Sequence, residues 1–304
     1  MPDPLPGPVP GLDDRARADL HARLLDWYDG HARELPWREP TASAWSVLVS
    51  ELMLQQTPVA RVLPVHEQWL QRWPKPADLA AASPGDAVRA WGPLGYPRRA
   101  LRLHAAATAI VERFAGSVPA SYDDLLGLPG VGDYTAAAVA AFAFGRRHVV
   151  LDTNVRRVLT RVVRGEEFPA TAVTRVERDL ATTLLPVDAA TAATWAVATM
   201  ELGALVCVAA RPRCDRCPVR DLCAWRDAGY PAYDGPARRG QTYDGTDRQC
   251  RGRLLGVLRD SPDPIHRSVL EAAWPAVEQR DRCLQWLVDD GLVARSSAET
   301  YALP

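Results

Sequence analysis

A short turn rich in glycine and proline constrains the fold of this sequence more than any other feature. Apolar helical stretches precede and follow the turn, which consists of Leu128, Pro129, Gly130, Val131 and Gly132. Pro129 fixes one φ angle, while Gly130 and Gly132 allow backbone conformations and close approaches that a side chain would block. The pattern predicts a helix–hairpin–helix. Its backbone N–H groups, together with the N-terminus of the second helix, are suited to hold a phosphate.

An acidic residue follows the hairpin about twenty residues later. Asp152 comes directly after an apolar run, and Asn154 and Arg157 follow it closely. A phosphate grip followed by a carboxylate indicates an enzyme that acts on nucleic acid. The same residues are also typical of a glycine turn between two helices and of an aspartate that caps a helix, because short glycine motifs match by chance. This stretch alone leaves both interpretations open.

Length and hydropathy set the broad class of protein. A chain of 304 residues can bury a sizeable core and is expected to form two or three domains. The longest apolar run, Ala136 to Phe144, is far shorter than the roughly 20 residues that span a bilayer, so no membrane partner is expected. Residues 1–12 contain five prolines but no signal-peptide features, and they are predicted to form a flexible arm. The expected location is the cytoplasm.

The charge of the chain gives little support for nucleic-acid binding. The net charge is −1 and the isoelectric point is about 6.6, whereas a DNA-binding domain is often above roughly 9. All but one of the 36 basic residues are arginines, whose forked guanidinium groups suit phosphate contacts. They cluster in several places, including Arg98, Arg99 and Arg102 and the segment from Arg156 to Arg164. Such clusters are equally typical of solvated surface.

Apolar residues recur at helical spacing through most of the chain. No convincing period-two alternation appears before residue 245, so residues 13–224 are predicted to form an all-α core. Longer helices are expected at about 13–29, 44–56, 58–73, 98–114, 133–144, 153–163, 171–184 and 188–204. Shorter ones are expected to start at Ser83 and Ser121.

The end of the chain differs in composition from the core. Residues 225–246 are rich in glycine and proline and are predicted to be a linker. Residues 247–304 are predicted to form a small α+β domain with helices at 251–259, 268–274 and 278–289 and a two-stranded wing at 290–295 and 300–303. This order of elements is typical of a winged helix-turn-helix.

Four cysteines close together predict a metal centre. Cys207, Cys214, Cys217 and Cys223 lie within 17 residues, with spacings of six, two and five residues between them. Only the central pair has the spacing of a zinc knuckle, and four thiolates can equally hold a [4Fe–4S] cluster. The spacing therefore leaves zinc and iron–sulfur open. Cys250 and Cys283 are isolated in the sequence and are expected to be ordinary thiols.

These features together resemble the endonuclease III superfamily of DNA base-excision glycosylases, and most of all its adenine-specific MutY family. The resemblance covers about residues 18–223 and rests on motifs at 35–38, 50–57, 94–96, 128–135, 151–155, 201–204 and the four cysteines. It implies a six-helix subdomain over about residues 31–135 and an iron–sulfur subdomain made of the N-terminal helix and residues 136–224. In such a fold the DNA cleft and base pocket lie between the two, and the four cysteines hold a [4Fe–4S] cluster.

The resemblance also implies a reaction, the hydrolysis of the N-glycosidic bond of an adenine mispaired with 8-oxoguanine or guanine. Glu51 would protonate the extruded adenine as general acid, and Asp152 would stabilise the oxocarbenium-like sugar. Tyr134 and Asn154 would position these groups and the attacking water. A glutamate on a helix is more often simply solvated, and the motif context is what favours the catalytic interpretation.

The partner that the resemblance implies is double-stranded DNA containing a mismatched or damaged base pair, bound by a monomer in the cytoplasm at the nucleoid. Gln56 and Tyr96 match residues that wedge into the duplex around the extruded base. The remaining predicted DNA contacts are Arg38 and the hairpin residues Leu128, Gly130, Val131 and Gly132.

Lysine usage predicts that the enzyme does not cut the DNA strand. Glycosylases that also act as lyases form a Schiff base through an amine. In lyase members of the superfamily that lysine lies two positions after the second hairpin glycine, where this chain has Tyr134. The only lysine in the sequence, Lys75, lies between two prolines in an expected turn.

Three departures from the family pattern keep alternatives open. The family commonly ends in a Nudix-related domain that detects 8-oxoguanine, whereas only about 80 residues follow Cys223 here. Val197 replaces a polar residue expected to meet the base, and Thr153 replaces the usual glycine beside Asp152. A thymine glycosylase acting on G·T mismatches is therefore the alternative enzyme. A non-catalytic iron–sulfur protein that binds DNA or senses redox state is the alternative from a different class.

Overall fold

The structure is a computed structural model that describes residues 13–235 and 243–304. The predicted arm, residues 1–12, lies outside the described residues, as do residues 236–242 of the predicted linker 225–246. Among the residues that the structure describes, no helix is long and apolar enough to cross a membrane.

Helices dominate the described chain, as the sequence predicts. In chain order they are α1 Asp14–His31, α2 Ala44–Leu54, α3 Val59–Arg72, α4 Pro76–Ala80, α5 Pro84–Trp91, α6 Arg98–Phe114, α7 Tyr122–Leu126, α8 Asp133–Phe144, α9 Thr153–Leu159, α10 Arg175–Leu184, α11 Ala189–Leu205, α12 Ala224–Asp227, α13 Asp247–Asp260, α14 Arg267–Ala273 and α15 Val277–Asp289. The three strands are β1 Ile265–His266, β2 Ala294–Arg295 and β3 Thr300–Ala302. Short 3-10 turns cover Pro36–Arg38, Cys214–Arg216 and Arg220–Leu222.

Capping side chains determine where several helices begin. The Asp13 carboxylate accepts the N–H of Ala16 at 2.7 Å and starts α1, as predicted. Thr174 and Glu177 form a capping box that starts α10 at Arg175, so the predicted start near residue 171 is too early.

Two other departures from prediction have local causes. The predicted helix over 153–163 is α9 followed by a π-helical turn, Thr160–Arg164. Helix α4 was missed because the prolines around Lys75 indicate a break. Pro76 instead occupies the first turn of α4, where its missing N–H costs no helical hydrogen bond.

The described chain divides into two compact units. The first unit comprises residues 13–42, 120–126 and 132–235, and therefore α1 and α7 to α12. Its central helix is α11, which packs against α1, α8 and α9. The core contains Leu20, Leu24, Leu159 and Leu202, all almost fully buried. Small alanine side chains line the contact between α8 and α11, which allows the two helices to approach closely.

The second unit comprises residues 43–119, 127–131 and 243–304, and therefore α2 to α6 and the tail from α13 onward. Helix α6 packs against α2, α4 and α5. Trp69 lies at the centre of a tryptophan cluster, with its ring edge-to-face against Trp73 at 4.7 Å and Trp91 at 5.7 Å between centroids. The indole N–H of Trp45 donates to the carbonyl of Trp73 at 3.0 Å.

The tail contains three helices and a three-stranded antiparallel sheet in the order β1-β3-β2. The sequence predicted only two strands. Strand β1 has two residues, too few to show an alternating pattern, and pairs with β3 through Ile265 opposite Tyr301. Helix α13 begins at Asp247, earlier than the predicted residue 251, because the side chain of Thr246 caps it. Cys250 and Cys283 are both fully buried in the tail.

The tail is firmly packed on α5. The Arg89 guanidinium donates to the carbonyls of Arg259 at 2.6 Å and Ser261 at 2.7 Å. In the opposite direction, Arg259 Nε donates to the carbonyl of Val88 at 3.0 Å. The last residues of the chain lie against Gly85 at the start of α5. The tail and α5 thus belong to one packed body.

Candidate functional site

Asp152 is fixed at the N-terminus of α9. One carboxylate oxygen accepts the N–H of Val155 at 2.6 Å, and the other accepts the side-chain amide of Asn154 at 2.7 Å. Burial raises the pKa of Asp152, while these hydrogen bonds and the charge of Arg157 act in the opposite direction. Asp152 therefore caps α9, as the non-catalytic interpretation expected, and its carboxylate is also desolvated.

A chain of hydrogen bonds leads from Asp152 to the cysteine segment. The Asn154 oxygen accepts from Arg157 Nη2 at 2.8 Å, and Arg157 Nε donates to the carbonyl of Cys207 at 2.7 Å. Arg157 also donates to the carbonyl of Gly203 at 2.7 Å. Because both ends of the Asn154 amide are engaged, its orientation is determined. The sequence placed Arg157 near Asp152 and in an arginine cluster, but its role in orienting Asn154 was not predicted.

The four cysteines line one small apolar cavity in the first unit, together with Leu202 and Val206. Burial and the three neighbouring thiols raise the pKa of Cys217 to about 12. Among the described residues, no three metal-binding side chains converge as a single metal ion requires.

A buried arginine adjoins this cavity. Arg161 is 1 % exposed, and its Nη1 lies 3.5 Å from the Cys207 sulfur and 2.8 Å from the carbonyl of Val208. Its guanidinium also lies over the Trp225 ring, 4.5 Å from the centroid. The cavity wall therefore carries a fixed positive charge, which suits a group of negatively charged thiolates.

The other predicted catalytic residues lie on helices in the two units. Tyr134 is in the first turn of α8 and packs against the alanine-lined core of the first unit. Its neighbour Asp133 pairs with Arg178 at 2.6 Å and accepts a hydrogen bond from the Tyr122 hydroxyl.

Glu51 lies on α2 of the second unit and is 5 % exposed, so it is not a solvated surface acid.

Gln56 and Tyr96 both adopt left-handed backbone conformations in the second unit, with φ of 56° and 54°. A non-glycine residue in this region is strained and needs support from its surroundings. Arg99 supplies it: the buried guanidinium donates to the carbonyls of Leu52 and Gly95 and to the Thr57 hydroxyl. One side chain thus ties together the two turns that carry Gln56 and Tyr96, both of which are exposed.

The predicted hairpin has the expected tight turn. Leu128 and Val131 are buried, and Val131 N–H donates to the Leu128 carbonyl at 3.1 Å. Gly130 has a φ of +77°, and a Cβ there would lie 2.6 Å from the Arg102 Cβ. Gly132 immediately precedes α8 as its N-cap. Gly130 is therefore required by conformation and by close packing, as predicted, whereas Gly132 has an extended φ of −104° and a Cβ there would meet no atom within 4 Å, so the structure does not require glycine at that position.

Arg38, a predicted DNA contact, is placed in a buried ion cluster. Its guanidinium donates to Glu201 at 2.9 Å, and Arg33 makes a bidentate pair with the same carboxylate at 2.7 Å. Glu201 is fully buried, and despite that burial the two arginines hold its pKa at about 2. This arrangement ties the segment before α2 to α11.

Comparison with known proteins assigns the chain first to a class. Residues 49–182 match the model of the HhH-GPD superfamily of base excision DNA repair proteins. The thermostable thymine-DNA glycosylase of known structure superposes with a TM-score of 0.65 at 25% identity, covering 71% of this chain and 98% of that one. The helical fold is thus that of a DNA glycosylase.

Relatives of similar length narrow the assignment. An adenine DNA glycosylase of Mycobacterium tuberculosis is 54% identical over 92% of each chain. One of Mycolicibacterium smegmatis is 53% identical over 92% of this chain and 94% of that protein. The chain belongs to the adenine DNA glycosylase, or MutY-type, family of this superfamily. The family predicted from the sequence motifs is confirmed.

Proposed function

We propose that this protein is a monofunctional adenine DNA glycosylase that removes adenine mispaired with 8-oxoguanine or guanine. The observation that carries the proposal is the desolvated Asp152 carboxylate, held by the Val155 N–H and the Asn154 amide in a chain of this family. In the reaction Glu51 donates a proton to the leaving adenine. The Asp152 carboxylate stabilises the positive charge that develops on the sugar, and Tyr134 and Asn154 position the reacting groups.

The test is single-turnover base release from A·8-oxoguanine, A·G, A·C and G·T duplexes. Adenine should leave fastest opposite 8-oxoguanine or guanine. Asp152→Asn should abolish release while retaining DNA binding, because it removes the charge and keeps the shape. Asp188→Asn is the matched control: Asp188 caps α11 by accepting the Thr191 N–H at 2.8 Å but is exposed, so release should be unchanged.

The same assay distinguishes the alternatives. Thymine released faster than adenine would establish a G·T mismatch enzyme. Binding without release of either base would establish a non-catalytic protein. Borohydride should trap no covalent adduct with the A·8-oxoguanine duplex, because Lys75 is the only lysine and lies on the exposed N-cap of α4. Efficient trapping would contradict the monofunctional assignment.

We also propose that the four cysteines hold a [4Fe–4S] cluster. The cysteine spacing leaves zinc open, and the cluster is favoured because the resemblance to this family implies a [4Fe–4S] cluster on cysteines with this spacing. Four thiols around one cavity beside Arg161 suit a larger, negatively charged group. When bound, the cluster would supply structural cross-linking of this segment. Purified protein should contain about four iron and four sulfide ions per chain; one zinc ion without sulfide would refute the proposal.

The subdomain assignment follows from the same proposal. We assign the first unit as the iron–sulfur subdomain and the five helices α2 to α6 of the second unit as the larger part of the six-helix subdomain expected over about residues 31–135; α7, which lies within those bounds, belongs to the first unit. The tail has the order of helices and strands of a winged helix, with β1 completing the sheet. Because the proposed substrate is genomic DNA, we expect the protein to act in the cytoplasm at the nucleoid, as a monomer with a solution mass near 33.3 kDa.

A further inference from the structure

A large cleft lies within the second unit between the tail and the segment that precedes α6. It encloses about 1380 Å³, and its walls are the Gly92–Arg102 segment and helix α13. Gln56 and Tyr96 both line it. The cleft is therefore built partly by residues that match the family's duplex wedge and partly by the tail.

The cleft concentrates positive charge in a chain whose net charge is −1. Eight arginines and three aspartates line it. The exposed arginines among them are Arg61, Arg98, Arg102, Arg248 and Arg253. About 150 residues separate the two groups of arginines in the sequence, so only the packing of the tail on α5 and α6 brings them together. Guanidinium forks suit phosphate oxygens, to which they can donate two hydrogen bonds at once.

Asp290 of the cleft pairs with Arg98 and Arg251, and two further arginines are held by groups other than an ion-pair partner. Within the described residues, Arg99 and Arg259 are bonded to carbonyls and, for Arg99, to a hydroxyl, with no ion pair. Burial lowers the pKa of each to about 10, so both remain protonated at neutral pH. Their charge adds to the positive potential inside the cleft.

Two contacts link residues of the cleft to other parts of the second unit: Arg248 of the tail contacts Tyr96, and Arg102 contacts Gly130 of the hairpin. The Arg248 guanidinium of α13 lies 5.5 Å from the centroid of the Tyr96 ring, within cation–π range. On the opposite wall, Arg102 packs its aliphatic stem under Gly130 of the hairpin. A side chain that lines the cleft therefore also contacts the turn whose N–H groups are suited to phosphate.

We propose that this cleft is a phosphate-binding groove for the backbone of duplex DNA, and that the tail forms one of its walls through Arg248 and Arg253. The proposal rests on the proposed glycosylase function, since it identifies where the substrate's backbone is held. An acidic protein is the other occupant that such charge could attract. Duplex DNA is favoured because the exposed Tyr96 ring lines the groove and because Arg102, another lining residue, contacts Gly130 of the hairpin.

The salt dependence of DNA affinity tests the groove. Each phosphate neutralised by a basic side chain contributes about −0.9 to the slope of log K against log salt concentration. In the full chain, Arg248→Gln/Arg253→Gln should make the slope about 1.8 less steep on an undamaged 20-base-pair duplex. Between 50 and 200 mM salt, wild-type affinity should then fall about 12-fold more than that of the variant. Arg102→Gln, on the other wall, should reduce the slope by about half as much.

The matched control is Arg175→Gln/Arg295→Gln, which removes the same charge from two exposed arginines that do not line the cleft. Its slope should equal that of the wild type. An unchanged slope in the groove variants, or an equal change in the control, would overturn the proposal. Adenine release by the same proteins distinguishes failure of the glycosylase proposal from failure of the groove proposal. Wild-type protein that releases no adenine would refute the glycosylase function. The salt-dependence slopes on undamaged DNA would still decide whether the groove binds phosphates.

Discussion

Asp152 is subject to opposing influences on its pKa. Burial favours the neutral acid, whereas the Val155 and Asn154 hydrogen bonds and the charge of Arg157 favour the carboxylate; the net result is a raised pKa. Because the pKa is raised in the folded state, this carboxyl stabilises the fold at low pH. That contribution is lost as the pH rises from the unfolded-state pKa through the raised value. The charged form that the proposed reaction needs is therefore maintained at a cost in stability.

This balance predicts a pH dependence of base release. Since the proposed mechanism requires an ionised Asp152, the rate should fall as the pH drops through its raised pKa, above the ordinary aspartate value of about 3.9. Asn154→Ala removes a hydrogen bond to the carboxylate, so this acidic limb should move to higher pH. Single-turnover rates measured across the acidic range test this.

Thr153→Ala serves as the control for that profile, because Thr153 is the exposed neighbour of both residues and the two hydrogen bonds to the carboxylate come from Asn154 and Val155. Its acidic limb should coincide with that of the wild type. A limb that moves to lower pH in Asn154→Ala would show that the amide does not stabilise the charged form.

Residue type and local spacing predicted contacts between neighbouring residues of one motif. They did not predict the residues that hold such a motif in place from elsewhere in the chain. Asp152 and Asn154 are two positions apart, and the structure brings them into contact as expected. Arg99 and Arg157 were missed as positioning residues. Each bonds to groups more than 40 residues away in the sequence, and no local pattern reports such a contact.

At the scale of elements, helix identity was predictable and the exact ends were less so. Long amphipathic helices such as α6 carry a strong periodic signal, and the structure confirms α6 at the predicted residues 98–114. The two-residue strand β1 carries no periodic signal, because it is too short to alternate and depends on its pairing with β3. The pattern of apolar residues likewise does not predict the π-helical turn after α9.

Close helix packing also explains why the motif at 201–204 contains a glycine, which the sequence alone did not account for. A Cβ on Gly203 of α11 would lie 2.7 Å from the Asn154 Cβ and 2.9 Å from its carbonyl oxygen. Gly203 therefore lets α11 approach the start of α9, where Asn154 is held by Arg157. The glycine belongs to the site through packing rather than chemistry.

At the scale of the whole chain, composition gave a misleading indication. A net charge of −1 does not suggest a DNA-binding protein, yet the second unit gathers arginines from sequence-distant segments around one cleft. Net charge averages over surfaces that differ in sign, so it cannot report a local concentration of charge. The packing of the tail, which creates this concentration, depends on contacts that sequence patterns do not encode.

Gly85 provides a direct test of that packing. A Cβ at this position in α5 would lie 2.3 Å from the Pro304 carbonyl oxygen and 3.1 Å from the Leu303 Cβ. Gly85→Ala should therefore destabilise the full chain by about 1–3 kcal/mol, as overpacking of a close contact does. In a chain that ends at Ala302 the obstacle is gone, and the same substitution should be neutral or stabilise the helix by up to about 1 kcal/mol. Denaturant unfolding of the four proteins, each chain length with and without Gly85→Ala, gives the coupling free energy between the two changes.

Equal effects of Gly85→Ala in both backgrounds would mean that the end of the chain does not pack on α5 in solution. The wall of the cleft that the tail forms would then lack this contact.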